Sequence, residues 1–160
     1  MAAQPVPEGY HTLTPYLAVD DAVAAIEYYQ RAFGAKESVR MSGPDGKVAH
    51  AELEIGDSRV MLADAYPPSA TRPPKELGGT SGGVFIYTED IDSLFKQAID
   101  AGATSVSDPE NMFWGDRFGT LTDPFGHVWY MSTHVEDVIP EEMGERQRKW
   151  QEEMATASVN

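Results

Sequence analysis

The sequence predicts an α+β protein built from two strand-helix-three-strand modules and closed by a C-terminal helix. Three observations carry that expectation. LAVDDAVAAIEYYQRAFGA in the first half and IYTEDIDSLFKQAIDAGA about seventy residues later echo one another, the mark of an internal duplication. Behind each of these segments, apolar and polar residues alternate in short runs broken by turn residues, the period of half-buried strands. The stretch FWGDRFGTLTDPFGHVWY, Phe113 to Tyr130, folds two such runs about Asp123-Pro124-Phe125-Gly126. Proline pre-sets the turn, aspartate bonds its own backbone and glycine relieves the exit, so the stretch reads as a β-hairpin.

Taken in order, residues 1–10 are an aperiodic lead-in with two prolines. The first module covers residues 11–65. From His11 to Val19 the chain alternates, with Leu13, Leu17 and Val19 on one face and Thr14, Tyr16 and Ala18 on the other; Pro15 argues for an edge or a bulge. Asp20 and Asp21 are placed to cap a helix whose Ala22, Val23, Ala25, Ile26, Tyr29, Ala32 and Phe33 form an apolar stripe, and Gly34 ends it. Strands are expected at Lys36 to Met41, Lys47 to Ile55 and Ser58 to Asp64, with turns at Gly43 to Gly46 and Gly56-Asp57. Residues 66–82, YPPSATRPPKELGGTSG, are too rich in proline, glycine and serine for regular structure and read as a linker or flap.

The second module covers residues 83–134. Gly83 to Thr88 is its first strand, and Asp90 opens a helix with Ile91, Leu94, Phe95, Ala98 and Ile99 buried and Gly102 at its end. Thr104 to Ser107 is a short strand, Asp108 to Trp114 a connection, and the hairpin completes the unit. On its last strand Val128, Tyr130 and Ser132 share one face, while His127, Trp129 and Met131 share the other. Residues 135–160 hold a charged helix from Pro140 to Met154, with acidic residues first and basic ones following, as the helix dipole favours.

Composition narrows the partners. The chain has 160 residues, enough for one domain or for two small modules that share a core. Its 26 acidic against 12 basic side chains leave a net charge of -14, which repels nucleic acids and anionic membranes. With no cysteine it has no disulfide or thiolate chemistry. No apolar run reaches membrane-spanning length, and MAAQPVPEGY lacks the basic start and apolar core of a signal peptide. The expectation is a soluble, cytoplasmic protein.

The duplicated unit, with VDD or TED opening each helix, FGA or AGA closing it and DPFGHVW near the end, resembles the vicinal-oxygen-chelate superfamily of glyoxalases, bleomycin-resistance proteins and dioxygenases. The resemblance covers about residues 11 to 134. It implies that each βαβββ module curls into a half-open cup, that paired modules close a barrel-like mixed sheet, and that the protein is a homodimer. It also implies four metal-ligand positions on the first and last strands of the modules. Here these fall on Thr14, Gly83, Tyr130 and either Met61 or Leu62. None of these is a normal ligand for a hard or borderline divalent cation, so neither a metal nor another cofactor is expected.

Several side chains are candidates for what remains. His50 shares a polar strand face with Glu52 and could act as a general base, although a histidine held by a hydrogen bond or lying in solvent explains it equally well. Arg117 beside Asp116 could clamp a carboxylate or phosphate, or could simply bridge to that aspartate. The leading expectation is a small organic molecule bound in a metal-free pocket lined by Tyr16, His50, Met61, Trp114, Arg117 and Tyr130, as in antibiotic or metabolite sequestration. The alternative is a lyase, isomerase or epimerase in which His50 or Glu52 moves a proton beside a carbonyl and Arg117 or Tyr130 stabilises the enolate. A weaker third reading is a cup filled by its own side chains in a protein that serves only as an interaction partner.

Overall fold

A computed structural model describes residues 3–66 and 70–157. The ends of the lead-in and tail (residues 1–2 and 158–160) and residues 67–69 of the linker lie outside the described residues. The first module runs β1 (Tyr16–Val19), α1 (Ala22–Phe33), β2 (Lys36–Ser42), β3 (Val48–Ile55) and β4 (Ser58–Asp64). After α2 (Pro74–Leu77), the second runs β5 (Gly83–Tyr87), α3 (Ile91–Ala101), β6 (Thr104–Asn111), β7 (Asp116–Thr122) and β8 (Val128–His134), and α4 (Pro140–Ala157) ends the chain.

The two modules repeat in detail. The sheet orders are β1-β4-β3-β2 and β5-β8-β7-β6, with the first pair parallel and the others antiparallel in each. Asp21 caps α1 by accepting from the Ala24 amide, and Asp90 caps α3 by accepting from Ser93. Each helix also receives a side chain from the last strand of its own module. Asp64 accepts from the Ala22 amide at 2.9 Å, and the Thr133 hydroxyl from the Ile91 amide at 2.9 Å. Two of the orphan amides of each helix start are thereby satisfied.

One core joins the halves. Ile26, Tyr29, Phe33, Leu53 and Leu62 of the first module form a continuous buried cluster with Phe95, Leu121, Trp129 and Met131 of the second. At its centre Asp123 accepts from the Tyr29 hydroxyl (2.7 Å), the Trp129 indole (2.9 Å) and the Phe125 and His127 amides. Gln97 of α3 adds bonds to the Arg31 and Ala32 carbonyls at the end of α1.

Some expectations need correction. The first strand begins at Tyr16 rather than His11, because Pro15 lacks the amide that would extend the ladder. β6 runs through Pro109 to Asn111 instead of stopping at Ser107, and irregular register at Ser105/Ser107 and Ser107/Glu110 accommodates the proline. The linker contains one regular turn, α2, with proline at its first position. Val23 is exposed, and Tyr28 takes its place in the buried stripe.

The sheets do not close a barrel. β1 and β5 remain the unpaired edges of two separate four-stranded sheets. The Pro15 and Val19 carbonyls bond across to the β4 side, so that of Ala18 points outward, where it accepts from His127 Nε2 at 2.9 Å rather than from a strand. A crevice of about 530 Å³ and a groove of about 470 Å³ separate the two edges, and Pro15 and Val84 line both.

Candidate functional site

Strand alternation gives each sheet one face packed on its helix and one open face. On the open face of the first sheet, β1 carries Tyr16, opposite Met61 of β4, which in turn lies opposite Glu52 of β3. His50 lies two residues before Glu52, and the two are bonded Nε2 to Oε1 at 3.1 Å. An ionised carboxylate only accepts, so Nε2 of His50 donates to it, and in the neutral imidazole Nδ1 is then an acceptor. The Tyr16 hydroxyl, 3.3 Å from Nδ1, donates to it. Glu52 is also bonded by the Tyr10 hydroxyl, and Arg59 lies 4.7 Å above the Tyr10 ring. The bonds from Tyr10 and then His50 hold the Glu52 carboxyl below its ordinary range, against the opposing effect of burial.

The open face of the second sheet is aromatic. Phe85 of β5 lies 6.2 Å from Tyr130 of β8 and 6.0 Å from Phe118 of β7, while Phe118 stacks on Tyr130 at 6.2 Å. Tyr87 extends the row on one side and Trp114, edge-on to Phe118, on the other. Phe85, Tyr87 and Tyr130 are all exposed. At the rim, buried Asp116 accepts from Ser132 (3.0 Å) and Tyr87 (3.4 Å), and His134 lies between it (2.8 Å) and Asp137 (2.9 Å). Burial works to raise the Asp116 carboxyl, but bonds from His134, Ser132 and Trp114 hold it low. Asp137 and then Asp116 raise His134.

The structure divides the six expected lining residues. Tyr16, His50 and Met61 meet on the first open face together with Glu52, while Trp114 and Tyr130 lie on the second. Arg117 is on neither. It faces the helix side of β7, where its guanidinium grips Asp92 of α3 through two bonds of 2.7 Å, with Asn111 at 3.3 Å. The expected bridge to Asp116 is thus made to Asp92 instead. Tyr10, Arg59, Phe85, Tyr87 and Phe118 also belong to these faces. Alternation in GVFIY and DRFGTLT signals the last three, whereas Tyr10 reaches its place from an irregular segment with no local signal.

The expected ligand positions do not suit a divalent ion. Thr14 precedes β1, Leu62 points into the core, and Met61 therefore holds the last-strand position. The Tyr130 ring lies over Gly83, so that a Cβ at that glycine would be 2.8 Å from it. The ring fills the space a first-strand ligand would need. Among the described residues no group of three or more histidine, aspartate or glutamate side chains is arranged to hold a metal.

The sequence matches the profile of the Glyoxalase/Bleomycin resistance protein/Dioxygenase superfamily over residues 10–131. The chain belongs to that superfamily. Within and around it, the uncharacterized protein Rv0887c of Mycobacterium tuberculosis is 43% identical over 134 residues, 82% of this chain and 79% of that protein. Among solved structures, TioX from Micromonospora sp. ML1 shares the fold at a TM-score of 0.64 and 28% identity, covering 78% of this chain and 99% of its own. The Arabidopsis thaliana gene product At5g48480 does so at 0.63 and 27%, covering 77% and 98%. The superfamily's paired modules are thus present, and among the described residues no helix is long and apolar enough to cross a membrane.

Proposed function

We propose that this superfamily member binds a small, planar organic molecule on the aromatic open face of its second module, without a resident metal, in the manner of a protein that sequesters an antibiotic or metabolite. The observation that carries this reading is the contiguous floor of Phe85, Phe118, Tyr130 and Trp114. Three of the large apolar side chains on this sheet, Phe85, Tyr87 and Tyr130, are exposed together, and a contiguous exposed apolar patch marks a surface that binds something. Rings present rigid contact area at low entropic cost, which suits a flat ligand. In a homodimer, the second copy would wall off the open side of this floor.

The test is a thermal-shift screen of antibiotics and aromatic metabolites, followed by titration of the hits. Tyr130→Ala is expected to weaken binding about tenfold, near the 1.4 kcal/mol that loss of one stacked ring removes. Hits whose affinity is indifferent to both Tyr130→Ala and Phe118→Ala would sink the reading. Metal analysis of the purified protein should find no stoichiometric nickel, zinc or manganese, and light scattering during gel filtration should give twice the monomer mass.

A further inference from the structure

The first open face already holds a ring, and that ring comes from outside the module. Tyr10 of the lead-in donates its hydroxyl to Glu52, and the Arg59 guanidinium lies 4.7 Å from the centre of its ring. Arg59 Nε also donates to the Gly9 carbonyl at 3.2 Å. The seat itself is fixed by bonds that do not involve the lead-in. His50 Nε2 holds Glu52 at 3.1 Å, and Arg59 donates to Ser38 of β2 at 2.9 Å while lying 3.8 Å from Glu52. Three strands thus present a preset carboxylate and guanidinium, an acceptor for a hydroxyl and a cation for a ring face. Tyr10, by contrast, lies in no helix or strand and outside the shared core. A turn closed by its amide on the Pro7 carbonyl at 3.1 Å, with Gly9 at φ 79°, brings it over the face. The bond to Glu52 raises the pKa of the Tyr10 hydroxyl, so the seat holds a neutral phenol rather than a phenolate. No such cover lies on the second face, where Phe85, Tyr87 and Tyr130 stay exposed.

We infer that this seat is a binding site for the phenol ring of a separate small molecule, and that Tyr10 fills it as an internal competitor. A free hydroxyaryl compound gains the same two contacts, its hydroxyl on Glu52 and its ring face under Arg59. It has first to displace Tyr10, so the affinity observed is the intrinsic one scaled down by the fraction of chains whose seat is open. The lead-in is then a strap that occupation of the site releases. This site is independent of the ring floor on the second module, because stacking there needs no hydroxyl, whereas the seat selects for one.

The probe is 4-fluorophenol, titrated by fluorine NMR beside 4-fluoroanisole, the methyl ether that has no hydroxyl to donate. Tyr10→Ala is expected to bind the phenol about tenfold more tightly than wild type does, and about tenfold more tightly than it binds the ether. Adding Glu52→Ala to Tyr10→Ala should abolish the preference for the phenol. Adding Arg59→Leu instead, which leaves the bond between His50 and Glu52 in place, should weaken phenol binding; melting temperatures establish that each variant is folded. Equal affinity of wild type and Tyr10→Ala would show that Tyr10 does not compete and overturn the inference. Equal binding of phenol and ether, or binding that survives Glu52→Ala and is lost with Phe118→Ala, would put the probe on the ring floor, overturning the seat and leaving the floor standing. A folded Tyr10→Ala variant that does not bind the phenol would remove the site altogether.

Discussion

The two open faces sit on nearly the same backbone and carry opposite chemistry. Tyr16 corresponds to Phe85, Met61 to Tyr130, Glu52 to Thr120 and His50 to Phe118, because the strand pairs of the two modules share their register. The faces buried against the helices have stayed alike, with Leu17, Leu53 and Leu62 in one module and Leu121, Trp129 and Met131 in the other. Packing constrains the inner faces at every position, whereas the open faces are free to specialise. One has become a polar chain and the other a floor of rings, and a small molecule between the two edges could use both.

The largest expected effect concerns what holds the two faces together. Asp123, in the β7–β8 turn, satisfies four donors inside the shared core, while Asp57, in the matching β3–β4 turn, bonds only its neighbour Ser58 among the described residues, at 2.8 Å on the surface. Asp123→Ala leaves the Tyr29 hydroxyl, the Trp129 indole and two amides without a partner, and should cost about 3 kcal/mol or more in urea denaturation. Asp57→Ala should stay within about 0.5 kcal/mol. Equal losses would mean that the joint lies elsewhere.

A smaller effect separates the faces themselves. For a planar ligand found by screening, Phe118→Ala should weaken binding about tenfold, while the matching change on the polar face, His50→Ala, should leave affinity within about twofold. Titration calorimetry on the two variants decides it. If His50→Ala is the more damaging, the polar face is the primary binding surface.

The faces should also differ in their response to pH. His134, at the rim of the second, is raised by its two aspartates, so its contribution is complete below about pH 6.5 and disappears as pH rises through the elevated value. Asp116 is lowered, so its contribution is present above about pH 4 and is lost as pH falls through the depressed value. Melting temperatures of wild type and His134→Gln should therefore differ near pH 5–6 and converge in mild alkali. On the first face Glu52 is lowered, so Glu52→Gln should narrow its gap from wild type only in acid. A gap for His134→Gln that widens with pH would show that the imidazole is not paired as described.

Much of this architecture is legible in the sequence, for local reasons. The helix caps Asp21 and Asp90, the helix stops Gly34 and Gly102 and the alternation of Tyr130 with Trp129 and Met131 are each decided by neighbours in the chain. Long-range arrangement is less accessible. Tyr10 meets Glu52 across 42 residues from a segment with no period, and the gap between β1 and β5 depends on how two finished modules dock through α1, α3 and Asp123. Phe85 and Phe118 alternate visibly, but only the pairing of β5 and β7 with β8 on either side shows that their rings meet Tyr130.

Arg117 is the sharpest case, and it gives the smallest expected effect. Its neighbours Asp116 and Phe118 both belong to the open face, and with a period of two the arginine between them must face the helix. There it meets Asp92 in the first turn of α3, a partly exposed pair whose worth is reduced by solvent and salt. Arg117→Ala should lower the melting temperature slightly, by an amount that shrinks as salt is added, and should leave the affinity for any ligand of the ring floor unchanged, an anionic one included. A clear loss of affinity for anionic ligands alone would put the guanidinium on the open face and reverse the parity of β7, and with it the assignment of Phe118 to the floor.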